Sequence, residues 1–151
     1  MQIKHAITAG AAALGTTAAL AVAPAANAVT AHAAAVVGPK VTITVRGKSG
    51  VLLATRPVRG RSGWITRGGA PKGKCPADSV QGALNVATQG HWRGTWYASY
   101  HEYFITAILG DSETTKKAYW GLYVNGKIAS KGACDIPLRA GDRVLFKVTR
   151  S

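Results

Sequence analysis

Residues 119–148 read YWGLYVNGKIASKGACDIPLRAGDRVLFKV. Two alternating apolar runs meet at Asn125-Gly126, the strongest short-range hairpin signal, because both central residues of a two-residue turn take φ > 0. The pattern predicts a strand over 118–124 folding back on residues 127–130. A second turn at Ala140-Gly141-Asp142 then feeds a closing strand that buries Val144, Phe146 and Val148. Side chains alternate across a strand. Tyr119, Gly121 and Tyr123 therefore share one face, and Trp120, Leu122 and Val124 share the other. This places Trp120 in the core and leaves Tyr119 as a candidate ligand contact.

Such a sheet needs further strands and a cover. Residues 40–46, KVTITVR, alternate cleanly and predict a half-buried strand. Gly47-Lys48-Ser49-Gly50 turns it into a second strand over 51–58, which Pro57 ends or pushes to a sheet edge. Residues 59–74 are rich in Gly and basic side chains, with Trp64-Ile65 as the apolar anchor, and read as a long mobile loop. They lack the GxxxxGK[ST] spacing of a phosphate cradle. Asp78 as N-cap with Gln81 three residues on resembles a capping box and opens a short helix. Val80, Ala83, Leu84 and Ala87 form its apolar face, and Gly90 stands where a helix stop belongs. A further strand covers 104–109. The expected fold is α+β and β-grasp-like, one short helix packed on a mostly antiparallel mixed sheet.

The first residues belong to targeting rather than fold. Lys4 gives a basic start, an Ala-rich uncharged run follows, and Ala26-Asn27-Ala28 has the small-x-small pattern of a signal-peptidase site. Cleavage after Ala28 is favoured over cleavage after Ala33. The run is too interrupted by Gly10, Gly15 and Pro24 for a membrane anchor, and no later stretch approaches the roughly 20 apolar residues of a span. Residues 1–28 are thus expected to be a signal peptide, 29–39 a flexible arm and 40–151 the domain. The reading implies secretion, with cell-wall association as an extension.

Cys75 and Cys134 are the two cysteines, and an exported chain with an even count pairs them. Zinc would need more ligands at closer spacing. Nineteen Lys and Arg face six Asp and Glu, a net charge of +13, and no acidic residue precedes Asp78. Arg56, Arg59, Arg61, Arg67, Lys72 and Lys74 are the candidate polyanion-binding residues, for an anionic cell-wall polymer, anionic lipid, or nucleic acid bound nonspecifically.

Trp92, Trp96, Tyr97, Tyr100 and Tyr103 make the densest aromatic cluster. Such rings either stack on a ligand or build the core of a domain holding two Phe. Trp92 and Trp96, flanked by Gly90, Arg93 and Gly94, read as the more exposed, and with Tyr97, Tyr100 and Tyr119 they are the candidate ligand contacts. Catalysis finds little support. His101 and Glu102 are neighbours that a strand would point to opposite faces. Asp111 and Glu113 sit in a polar turn, and Cys134 is committed to its disulfide.

The helix pattern Ser79-Val80, Ala83-Leu84, Ala87 continues into Phe104-Ile105, Ile108, Gly110 and Tyr119-Trp120. Asn125-Gly126-Lys127, Gly132, Leu138, Gly141-Asp142 and Val144-Leu145-Phe146 complete it. In this order the residues resemble the transcobalamin-like C-terminal domain, a family of secreted bacterial domains related to the small β domain of the vitamin B12 carriers transcobalamin and intrinsic factor. The likeness spans about residues 40–148. It implies a β-grasp-like fold and a ligand surface, with cobalamin as one candidate ligand. The basic stretch 59–74 is no part of the shared pattern, nor is the helical barrel against which those carriers hold cobalamin. The leading expectation is a secreted non-enzymatic binding domain. A polyanion adhesion protein, a cobalamin-type small-molecule binder and a small hydrolase are its alternatives.

Overall fold

A computed structural model describes residues 38–112 and 117–150. The expected signal peptide, the arm up to residue 37, and Glu113 lie outside the described residues. No helix among the described residues is long and apolar enough to cross a membrane.

Strand β1 (Lys40–Gly47) is the clean alternator, and it buries Val41, Ile43 and Val45. It turns into β2 (Gly50–Arg59), which carries Pro57 without loss because β2 is an edge strand. The closing strand β10 (Arg143–Arg150) lies parallel to β1, with Ile43 opposite Val144 and Val45 opposite Phe146. Strand β8 (Ala118–Val124) runs antiparallel to β10, setting Val144 against Val124, Phe146 against Leu122 and Val148 against Trp120. Strand β9 (Lys127–Ile128) completes the hairpin but is shorter than the expected 127–130. The sheet order is β2-β1-β10-β8-β9, so the first and last strands meet at its centre. The period-2 pattern thereby puts one continuous apolar face on three neighbouring strands.

Helix α1 (Val80–Ala87) covers that face at β1 and β2. Val80, Ala83, Leu84 and Ala87 are all buried. The N-cap is Ser79, not Asp78: its Oγ accepts from Gly82 N–H at 3.3 Å and donates to Pro76 O at 2.6 Å. Asp78 is displaced from the cap because its carbonyl is held extended by Leu138 N–H at 2.9 Å, next to the Ser79–Pro137 bridge. Gln81 consequently sits one position earlier than a capping box needs, fully buried with its side-chain amide unpartnered among the described residues. At the other end Gln89 and Gly90 both take left-handed φ, +55° and +80°. Their N–H groups bond Val86 O and Asn85 O, the paired closure of a Schellman motif.

Residues 59–74 are not a structureless loop. Strand β3 (Trp64–Ile65) pairs with β5 (Cys75–Pro76), and β4 (Gly69–Ala70) runs parallel to β6 (Trp92–Tyr97). The glycines permit close packing here rather than motion. A Cβ at Gly69 would run into the Tyr103 ring and one at Gly73 into Trp96. Tyr103 fixes the segment further, its hydroxyl accepting from Gly73 N–H at 2.7 Å and donating to Gly73 O at 3.0 Å.

The aromatic stretch is itself a hairpin. β6 pairs with β7 (Glu102–Ile108), so the strand expected at 104–109 begins earlier and has a partner. The expected single sheet is therefore joined by a three-stranded sheet β4-β6-β7 and the two-stranded β3-β5. The fold is mostly β with one short helix. Cys75 and Cys134 form the disulfide, their Cα atoms 5.2 Å apart.

Candidate functional site

Two segments distant in sequence meet to make a groove of about 580 Å³. One wall is the end of the β6–β7 hairpin, with Tyr97, Tyr100, Phe104 and Ile105. The other is β8 with the chain leaving β9, contributing Tyr119, Leu122, Ile128 and Ala129; Trp120 and Phe146 also line it. The groove exists because β9 is short. Its pairing with β8 is Tyr123 to Ile128 and Val124 to Lys127, followed by Ala129 N–H to Leu122 O at 2.9 Å. The chain then departs towards Cys134. Residues Tyr119–Gly121 are left without a strand partner on that side among the described residues.

The lining is apolar where a surface is usually polar. Tyr97 and Phe104 are each 48% exposed, Ile128 59% and Tyr100 72%. These are four of the six exposed large hydrophobic side chains among the described residues, and all four line this one groove. Strand alternation explains Phe104: Tyr103 and Ile105 turn into the core, so Phe104 turns out.

Polar character comes from Glu102 and Lys131. The Glu102 carboxylate accepts from Cys134 N–H at 3.0 Å and from Tyr103 N–H at 3.0 Å. Burial pushes its carboxyl above the usual carboxylate range, outweighing the downward pull of those two N–H groups, and the Asp135 charge adds to the rise. Glu102 lines the groove and can hydrogen-bond a ligand there, whereas Asp135, the acid whose charge it feels, is not among the lining residues. Among the described residues no cluster of three or more His, Cys, Asp or Glu could hold a metal ion.

Of the candidate ligand contacts, the structure brings Tyr97, Tyr100 and Tyr119 together in the groove. Trp92 and Trp96 are elsewhere. Trp92 is buried edge-on against Tyr103 at 5.1 Å between centroids, with its Nε1–H donating to Asn85 Oδ1 at 3.1 Å, which corrects the expectation of exposure. Trp96 is half-buried 4.8 Å from the same ring. Phe104, Ile105, Ile128 and Glu102 also line the groove and are not among the candidate ligand contacts, because nothing in the sequence marks two remote segments as neighbours. Trp120 is buried as expected. All six candidate polyanion residues are exposed, and two of them, Arg61 and Arg67, line one hollow beside α1. Arg56 Nη1 reaches Ala87 O at 3.5 Å and Arg67 passes Gly90, so both sit at the negative end of the helix.

Residues 78–150 match DUF4430, a domain of unknown function. That span holds α1, the β6–β7 hairpin and every residue lining the groove, and it excludes the basic stretch 59–74. No curated protein matches the chain. Among solved structures, a candidate metal-binding protein from Ruminococcus gnavus ATCC 29149 is similar at 17% identity and a TM-score of 0.50, covering 75% of this chain and 98% of that one. At that identity the likeness is one of fold. Haptocorrin in complex with Cbi is similar at 17% identity and a TM-score of 0.49, covering 74% of this chain. This chain spans about a quarter of haptocorrin's length, 25%.

Proposed function

We propose that the chain is a secreted, non-enzymatic binding domain of β-grasp-like, transcobalamin-like architecture whose groove holds a small, largely apolar ligand with a planar ring system. The observation that carries this is the convergence of Tyr97, Tyr100, Phe104 and Ile128 on one concavity. A soluble chain seldom gathers its exposed apolar side chains without a partner for them, and the volume lies in the range of small-molecule sites. Aromatic walls suit a flat ligand through offset and edge-on contacts. Glu102 and Lys131 supply the few polar anchors that fix orientation. The β-grasp reading is supported by the parallel pairing of the first and last strands at the sheet centre with α1 between β2 and the later strands. Secretion is supported by the disulfide, which persists in oxidising compartments, and by the Ala26-Asn27-Ala28 motif.

Equilibrium dialysis of the purified chain against a set of planar metabolites, cobalamin among them, tests this. Retention of at least one member, weakened by Phe104→Ser, supports the reading. If every member, including cobalamin, distributes equally across the membrane at high protein concentration, the reading is lost.

A further inference from the structure

A second hollow of about 400 Å³ lies beside α1, lined by Arg61, Ser62, Trp64, Thr66, Arg67 and Asn85 among others. It is separate from the groove and falls largely on the stretch outside the DUF4430 match. Trp64 is 65% exposed, the most open tryptophan among the described residues, and it plays no part in the core. Its backbone is nevertheless held in place. Its neighbour Ile65 points inward as a buried anchor, and β3 pairs Trp64 with Pro76 and Ile65 with the disulfide-bonded Cys75. Ala77 N–H to Gly63 O at 2.8 Å and Arg61 N–H to Ala77 O at 3.2 Å extend this pairing through the residues that precede Trp64. Stacking on this indole therefore has only side-chain torsions to order, not the backbone that carries it.

The polar groups of the hollow are donors. The guanidinium groups of Arg61 and Arg67 have no ion-pair partner among the described residues, and no carboxylate lines the site. Asn85 Oδ1 already accepts from Trp92 Nε1–H, and its Nδ2 carries two further donors. Ser62 and Thr66 add hydroxyls. A donor-rich hollow with an open aromatic face is built for an anion that carries a flat ring. Arginine forks match phosphate oxygens bidentately in a way that a lysine does not.

We infer that this hollow binds single-stranded nucleic acid, with Trp64 stacking an unpaired base and Arg61 and Arg67 holding the flanking phosphates. Single strands are favoured over duplex because a duplex hides its base faces, whereas stacking platforms beside basic grooves take any exposed base. The net charge of +13 adds long-range attraction to any phosphate backbone, so charge alone does not define the site.

Fluorescence anisotropy of a short labelled oligothymidylate with the full chain tests the inference. Affinity should exceed that for a duplex of equal length and fall ~10-fold in Trp64→Ala, while Trp64→Phe keeps most of it. The double variant Arg61→Gln plus Arg67→Gln should flatten the plot of log K against log salt by about 1.4, ~0.7 for each phosphate contact removed. Because these side chains are exposed, an unchanged thermal midpoint in each variant shows that the fold is intact. Equal affinity for duplex with no effect of Trp64→Ala overturns the inference. So does Trp64-dependent binding of heparin without binding of the oligonucleotide, which would make the site one for an anionic glycan.

Discussion

Glu102 is a residue whose surroundings change its chemistry. It is half-buried at the groove, and its carboxyl is held above the ordinary range mainly by burial. A folded pKa above the unfolded value means that the native state binds the proton more tightly. Glu102 therefore contributes stability below about pH 4.3, and this contribution is lost as pH rises through the raised folded value. Thermal midpoints of wild type and Glu102→Gln across this range should show the fall in wild type and a flatter profile in the variant. Parallel profiles would mean that Glu102 is not the titrating group. Tyr103 is the other residue of consequence. Its ring stands between Trp92 and Trp96, and its hydroxyl holds both polar groups of the Gly73 backbone. Tyr103→Phe keeps the packing and strands those groups, and should cost about 1–3 kcal/mol in urea unfolding. A loss below 0.5 kcal/mol, on the order of a surface substitution, would show that water replaces the hydroxyl.

At the scale of elements, α1 depends on its start. Ser79 closes the first turn while also tying it back to Pro76, so Ser79→Ala should cost about 1 kcal/mol, whereas Asp78→Ala at the exposed neighbour should cost well under half of that. Equal losses would return the cap to Asp78. Much of this element structure was legible in the chain. The Asn125-Gly126 turn takes φ of +53° and +81° as its residue types demand, and the alternation of 40–46 and 144–148 gives the buried faces directly. The β6–β7 hairpin was not legible, for a physical reason. Its turn, residues 98–101, contains no Gly, Asn or Pro, and His101 itself takes the left-handed φ of +51°. The glycines of 59–74 misled in the opposite direction, because composition does not tell a glycine that frees the chain from one that lets a ring lie against it. Nor does any local pattern announce the groove, whose walls, residues 97–105 and 119–133, are separate stretches of sequence that meet only through the tertiary fold.

Over the whole molecule the disulfide ties the entry of α1 to the segment that follows β9, spanning 59 residues. In the chain-entropy account a closure of this length contributes about 4 kcal/mol, a large share of a small domain's stability. Replacing both cysteines with serine should lower urea stability by roughly that amount, and an unchanged midpoint would remove the cross-link from the stability account. The molecule then presents two separate surfaces: an apolar groove within the DUF4430 match and a basic, Trp64-bearing hollow that leans on the residues before it. The central claim is that the groove is a ligand site. Its most direct test is a titration with the apolar fluorophore 1-anilinonaphthalene-8-sulfonate. The account predicts saturable binding at one site, weakened about tenfold by Phe104→Ser plus Ile128→Ser, on the order of 60 Å² of lost apolar contact. Val51→Ser, at an equally exposed position outside the groove, should leave it unchanged. Weak, unsaturable binding that is the same in all three proteins would contradict it.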